Sequence, residues 1–320
     1  MLPIIRARTV ALALCCASAW PAAGRADTPT AAQILNEFNL VTASDASSTG
    51  VIDGPAMIGG TLSGSATFFP DVTNAGASPG VDVYGSVAGS NIKVENGGDL
   101  YYRGTLTSGQ VSFPNGGGQV ASGPTPPLAS YFATLDNASN WLSKQTTPGD
   151  TIVVSGGGDG GDHRGRGGTV TFNAASGSDG LAVFSITGSQ LAQDLQHRRI
   201  NFDFGSGVTT AVVNVAGNFS MPSGTSWSGT GLSNVLFNFN TATSVKVGTW
   251  QASILAPNAK VTTTSSSTVV NGSVAANSFS SAGQLTNTTF ASDSSLPEPA
   301  SLGLLGVGLA GLIAARRRRR

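Results

Sequence analysis

The side chains best able to do chemistry are few and scattered. Histidine occurs twice, and neither His163 nor His197 stands in a metal-ligand spacing such as His-Glu-x-x-His. His163 sits among glycines and His197 beside Arg198, where one cation disfavours a second, so both read as solvated surface groups. Both cysteines, Cys15 and Cys16, fall in the N-terminal apolar run, which leaves the rest of the chain without thiols, disulfides or cysteine metal sites. No Gly-x-Ser-x-Gly elbow stands between a strand and a helix. The loop Gly156-Gly157-Gly158-Asp159-Gly160-Gly161-Asp162 has the glycines of a phosphate loop or a calcium repeat. A phosphate loop needs Gly-Lys-Ser/Thr opening a helix, and a calcium roll needs consecutive nonapeptides; here the strand-like Thr169-Val170-Thr171-Phe172 follows. The loop reads as surface structure, with calcium on Asp159 and Asp162 as the alternative.

Asp53, Asp82, Asp99 and Asp203 lie at predicted strand edges, where carboxylates from separate coils could pair for polysaccharide cleavage. At such positions aspartate more commonly caps the turn backbone. No catalytic residue, cofactor or metal is therefore assigned, and the chain is expected not to be an enzyme.

The elements that would carry these groups are mostly short strands. Only 11% of residues are charged, against about 25% in an average domain, and 43 of 320 are glycine. Disorder normally combines few β-branched residues with high charge. Here Val, Ile, Thr and Phe come in runs of four or five broken by Gly, Asn or Asp, as in VIDG, AMIGG, TLSGSATFF, VDVYGSVAG and NIKVENGG. That pattern predicts an all-β fold with tight corners. Ser253-Ile254-Leu255-Ala256 matches Ser273-Val274-Ala275-Ala276 at a shift of about twenty residues, which suits one turn of a β-solenoid with three short strands per coil. A β-sandwich is the alternative.

Three helices are expected. Residues 31–39 follow Thr30 as a possible cap. Residues 128–145 carry an apolar stripe of Leu128, Phe132, Leu135, Ser139 and Leu142, with Tyr131 and Ala138 beside it and Pro126-Pro127 at its start. A more polar helix covers 189–199. The striped helix must bury one side, and the flank of the β body is the surface on offer.

The two ends are of another kind. Arg6 and Arg8 precede the apolar run Val10 to Trp20 and small residues near Ala26, the order of a secretory signal peptide over residues 1–26. At the far end stand Pro297-Glu298-Pro299, sixteen apolar residues from Ala300 to Ala315, and Arg316, Arg317, Arg318, Arg319 and Arg320. The prolines keep the backbone extended and accessible. The apolar stretch is just short of the ~17 to 25 residues of a transmembrane helix, and the arginines resist translocation. The ends hold eight of the seventeen basic residues. Between Asp27 and Leu296 nine basic face sixteen acidic residues, a balance that speaks against nucleic-acid and anionic-membrane partners.

These last residues resemble the PEP-CTERM sorting sequence of Gram-negative bacteria. The resemblance implies processing by an exosortase, membrane contact through the tail before processing, and a producing species that exports extracellular polysaccharide. A second resemblance spans the interior. Phe38-Asn39, Val51-Ile52-Asp53-Gly54 and Ile58-Gly59-Gly60 look like the opening of the choice-of-anchor A family, and Val213-Asn214-Val215 and Leu236-Phe237-Asn238 like its central strands. Trp250, Leu255-Ala256-Pro257-Asn258-Ala259 and Gly272-Ser273-Val274 look like its closing pattern. The chain departs from that pattern in the GGGDGGDHRGRGG insertion and in having no His before Ser253. The resemblance implies a right-handed β-solenoid, ice-binding-like and adhesive, with a helix along it.

The expected organisation is a signal peptide over 1–26, a β-solenoid domain over 27–292 and a sorting tail over 293–320. The expected role is that of an exported surface or matrix protein, an adhesin of biofilm or exopolysaccharide. A β-helical polysaccharide-modifying enzyme and an ice-binding protein are the alternatives. Thr-rich runs such as Val261-Thr262-Thr263-Thr264-Ser265 motivate the last.

Overall fold

The structure is a computed structural model that describes residues 29–69, 80–107, 111–121, 127–156, 168–175, 180–228 and 232–291. The signal segment, Asp159, Asp162, His163, the Pro-Glu-Pro motif and the terminal arginines lie outside these residues.

The chain winds as a parallel β-solenoid with three faces, a typical coil giving one short strand to each face. The first face stacks ten strands, from Gln119–Ala121 through Asp99–Tyr102, Gly80–Val83, Ala56–Ile58 and Leu40–Thr42 to Val274–Ser281, Ser253–Thr263, Val235–Asn238, Thr210–Ala216 and Leu181–Thr187. The second face carries Phe219–Ser220, Ser244–Val247, the later halves of Ser253–Thr263 and Val274–Ser281, Ala46–Ser48 and Leu62–Gly64. The third is built from Val111–Ser112, Ile92–Val94, Thr67–Phe68, Val51–Ile52, Gln284–Thr286 and Val269–Asn271. Trp250 bridges to Val270 at the end of that sheet. The four-stranded sheet Thr151–Ser155, Thr169–Asn173, Arg199–Asp203 and Ser226–Trp227 continues that side, where Trp227 Nε1 donates to the Thr249 carbonyl at 2.9 Å. Thr151–Ser155 is the sole antiparallel partner among the named pairs of the described residues. These parallel ladders replace the β-sandwich alternative, which would be antiparallel. The twenty-residue repeat is real stacking, since Ile254 pairs with Val274 and Leu255 with Ala275.

The coils do not stack in chain order. The first coil's strand Leu40–Thr42 lies between the second coil, at Ala56–Ile58, and the last, at Val274–Ser281. The N-terminal coils grow away from this seam to Gln119–Ala121. The C-terminal coils begin at the opposite end and climb back to it. The helix α2, Leu128–Leu142, lies in the connection between the two runs and packs along the first face.

Alternation in the strands explains the core. One set of side chains points in, with Leu40, Ile58, Val81, Val83, Leu100, Val213, Phe237 and Ile254 all fully buried. In the C-terminal coils the interior is aromatic. Phe237 and Trp250 lie 4.7 Å apart between ring centroids, Trp227 and Trp250 4.9 Å, and Phe172 stacks on Phe202 at 4.7 Å. The opposite set on the first face, including Val41, Met57, Val212, Leu236, Leu255 and Ala275, is buried as well. It forms a second cluster with α1, Ala31–Glu37, and α2, which supply Ile34, Leu35, Leu135 and Leu142. The first face is thus covered on both sides, and this is where the striped helix buries its apolar side. The helix α3, Gly188–Leu195, occupies the second-face position of its coil and packs on Phe219–Ser220. It ends four residues short of the predicted Arg199, where Gln196 turns extended at ψ 113° and His197 follows with a left-handed φ of 56°.

Candidate functional site

The four aspartates of the cleavage hypothesis do not meet. Asp53 accepts from Gln284 Nε2 at 2.7 Å on the third face. Asp99 accepts from the Gly118 amide at 2.8 Å, tying one coil to the next. Asp203 is exposed on the third-face sheet of the opposite half. Asp45 and Asp150 do the same backbone work as Asp99: Asp45 accepts from Thr61 N, and Asp150 uses both oxygens, on Ala175 N and Val183 N. Among the described residues no three His, Cys, Asp or Glu side chains stand close enough to hold a metal. His197 is exposed.

Asp82 differs from the rest. Its position in Gly80–Val83 turns it to the covered side of the first face, between Met57 and Tyr101. It is 1% exposed, and neither carboxylate oxygen has a hydrogen-bond partner. Burial pushes its pKa up to about 7, with the nearby Arg103 guanidinium pulling the other way.

Across the seam, five strands along from Asp82, the same covered side carries amides. Asn238 Nδ2 donates to the Ser139 carbonyl at 2.9 Å and to Asn214 Oδ1 at 2.8 Å, while Ser139 Oγ donates to Asn238 Oδ1 at 2.6 Å. Asn214 Nδ2 in turn donates to the Leu142 carbonyl, one of the last of α2, at 2.7 Å. The helix is thereby fixed in register on the solenoid. Two cavities flank it. One of about 520 Å³ lies between Leu128, Phe132 and Asp136 of the helix and Pro257, Asn258 and Asn277 of the coil corners. The other, of about 450 Å³, is lined by Ser143, Ser185, Asn214, Asn240 and Thr241 among others. A third, of about 340 Å³, is lined by hydroxyls of Ser223, Thr225, Thr249, Thr264 and Ser265.

Apart from α3 at the Phe219–Ser220 end, no helix among the described residues packs on the second-face strands. Its outward row reads Ser220, Lys246, Thr262, Ser280, Ser47 and Ser63 in paired register, all exposed or half-buried. The residues one step inward along the same strands, Phe219, Val245, Val261, Phe279, Ala46 and Leu62, are buried. Parallel strands lie ~4.8 Å apart, so the face presents a polar group at that interval, a hydroxyl at every step but Lys246. Of the run Val261-Thr262-Thr263-Thr264-Ser265, Thr262 alone joins this row. Thr263 is 9% exposed, facing Ser281 Oγ at 3.1 Å, and Thr264 lies in the following turn. Among the described residues no helix is long and apolar enough to cross a membrane.

The motif positions of the N-terminal coils have packing reasons. Asn39 Nδ2 donates to the Thr286 carbonyl at 2.6 Å, and its side chain lies where a Cβ on Gly54 would fall, 1.8 Å from Asn39 Oδ1. Only glycine leaves that space.

The PEP-CTERM protein-sorting motif matches residues 295–320. It marks an exported, exosortase-sorted protein of the Gram-negative cell envelope or surface. No curated protein matches the sequence significantly. In structure the chain is similar to an ice binding protein from an Antarctic biological consortium, at 12% identity and a TM-score of 0.33 over 89% of this chain and 96% of that one. It is also similar to an ice-binding protein of the Antarctic ascomycete Antarctomyces psychrotrophicus, at 13% identity and a TM-score of 0.29 over 79% and 95%. Likenesses this distant say nothing of a ligand. The sequence over residues 31–287, which includes the three faces, the seam and the two helices that cover the first face, matches the ice-binding-like adhesive domain, and the chain belongs to that family.

Proposed function

We propose that the mature protein is a non-enzymatic adhesin that holds the producer's exopolysaccharide in a biofilm matrix through the open second face. In this reading a signal peptide over 1–26 and a sorting tail over 293–320 are removed, the latter by an exosortase acting at Pro297-Glu298-Pro299 with Arg316 to Arg320 left on the cytoplasmic side. The body over 27–292 is the displayed domain. The choice-of-anchor A assignment is supported by the stacked Ser253 and Ser273 blocks.

The observation that carries the proposal is the outward row from Ser220 through Thr262, Ser280 and Ser47 to Ser63. Small hydroxyls at regular spacing on a rigid face can make many weak contacts at once with a polymer of hydroxyls, and the contacts reinforce one another. The test is retention of the purified protein on the host's own exopolysaccharide. Replacing Ser47 and Ser280 by bulky Arg should abolish retention, and unchanged retention removes the face from the argument. New reducing or unsaturated ends after incubation would turn the reading to an enzyme. Ice binding is a second reading, favoured by the same flat parallel row, although Lys246 interrupts its regularity. Thermal hysteresis in the purified protein would support it.

A further inference from the structure

We infer that the flank of α2 is a second binding site, a groove that takes a linear, uncharged glycan across two subsites. The inference rests on the exopolysaccharide reading but places contact on the opposite side of the coil corner from the open face. The larger cavity, about 520 Å³, combines the half-buried ring of Phe132 with Asp136, Asn258 and Asn277. An aromatic ring covers the C–H side of a pyranose, and a carboxylate beside amides pairs with adjacent hydroxyls, one accepting and the others donating. Asp136 makes no ion pair among the described residues, and no Lys or Arg lines either cavity. Its charge therefore rejects uronate or sulfated chains and admits neutral ones.

The smaller cavity, about 450 Å³, has no charged lining at all. Its amides are held in place before any ligand arrives, because Asn214 is fixed by the Leu142 carbonyl and by Asn238. Asn214 Nδ2 retains a second N–H beyond its bond to that carbonyl. Such pre-organisation lowers the ordering cost of binding.

The two cavities share a wall. Asn258, in the first, donates through Nδ2 to the Asn240 carbonyl at 3.0 Å, and Asn240, in the second, donates to Asn140 Oδ1 of the helix at 3.0 Å. Successive coil corners present Asn277, Asn258 and Asn240 at the ~4.8 Å step of parallel strands, close to the advance of one sugar in an extended chain.

Titration of the purified protein with cellohexaose, laminarihexaose, maltohexaose and hexagalacturonate tests the inference. At least one neutral hexaose should bind, and hexagalacturonate at least tenfold more weakly. Phe132→Ala and Asn240→Ala should each weaken the neutral ligand tenfold or more. Ala133→Arg, at an exposed position in the groove, should block it without touching the core. Asp136→Asn should narrow the gap between neutral and acidic probes. If no neutral hexaose binds, if hexagalacturonate binds equally well, or if Ala133→Arg leaves binding unchanged, the groove is not a glycan site. Loss of oligosaccharide binding in the Ser47 and Ser280 variants, with groove variants silent, would sink this inference and leave the open-face reading standing. Retention on exopolysaccharide that neither set of variants alters would sink both.

Discussion

Asn238 ties the helix to the solenoid, because its amide bonds both Ser139 and Asn214 in a buried place. Truncating it strands their polar atoms, and buried unsatisfied groups cost about 1–3 kcal/mol each. Asn238→Ala should therefore lower stability by about 2–4 kcal/mol in denaturant unfolding. The sequence held one signal of this, the polar Ser139 in an otherwise apolar stripe. What it could not show was which strands would face it, since Asn214 and Asn238 sit in runs that read equally well with either side outward.

Asp82 sets a pH dependence. Burial pushes its pKa up to about 7, well above the ordinary carboxylate range, so the folded state binds the proton more tightly than the unfolded chain. The stability this contributes is complete below about pH 4 and is lost as pH rises through about 7. Asp82→Asn should remove that slope, leaving the variant more stable than the parent at pH 8 by on the order of 3 kcal/mol, as thermal melts across pH 4 to 8 would show. An aspartate at a strand edge looked like a turn cap in the sequence, as Asp99 is. Asp82 is instead inside because its strand is covered from both sides.

At the scale of elements, the caps and stripes were legible because they depend on neighbours in sequence. Thr30 accepts from the Gln33 amide at 3.1 Å while Gln33 Oε1 accepts from the Thr30 amide at 2.8 Å, a reciprocal capping box. Thr30→Ala should cost about 1 kcal/mol. Leu135→Ala, at a fully buried position of α2, should cost about 2–5 kcal/mol and raise hydrogen exchange along the first-face strands it covers. Thr262 and Thr263 show the reverse case. Two identical neighbours in sequence part to opposite sides of one strand, and composition alone promised an array that alternation divides.

The order of stacking belongs to the whole molecule and was not legible. A twenty-residue match joined the coils at Ser253 and Ser273, which are consecutive. Nothing local announced that Val274 also pairs with Leu40, 234 positions earlier. Among the described residues the N-terminal coils meet the C-terminal ones across this seam and under the helices. Residues 29–121 expressed alone should lack the cooperative unfolding transition of the whole chain, which circular dichroism during thermal unfolding would detect. Restored folding on adding residues 127–291 in trans would show that the seam supplies the missing partner.

The seam also decides how the body meets a load. The described chain enters at α1 and leaves beside it, where the Phe290 amide donates to the Leu35 carbonyl, Asn36 donates back to the Phe290 carbonyl and the Ala291 amide reaches Ser233. Entry and exit thus lie at the waist of the rod on its helix-covered side, and the end strands, Gln119–Ala121 and Leu181–Thr187, belong to mid-chain. A pull on the chain end beyond Ala291 reaches the middle of the stack and engages several coils together. It cannot peel them away one by one from an end, and under such a load the rod would act as a crossbar held at its centre.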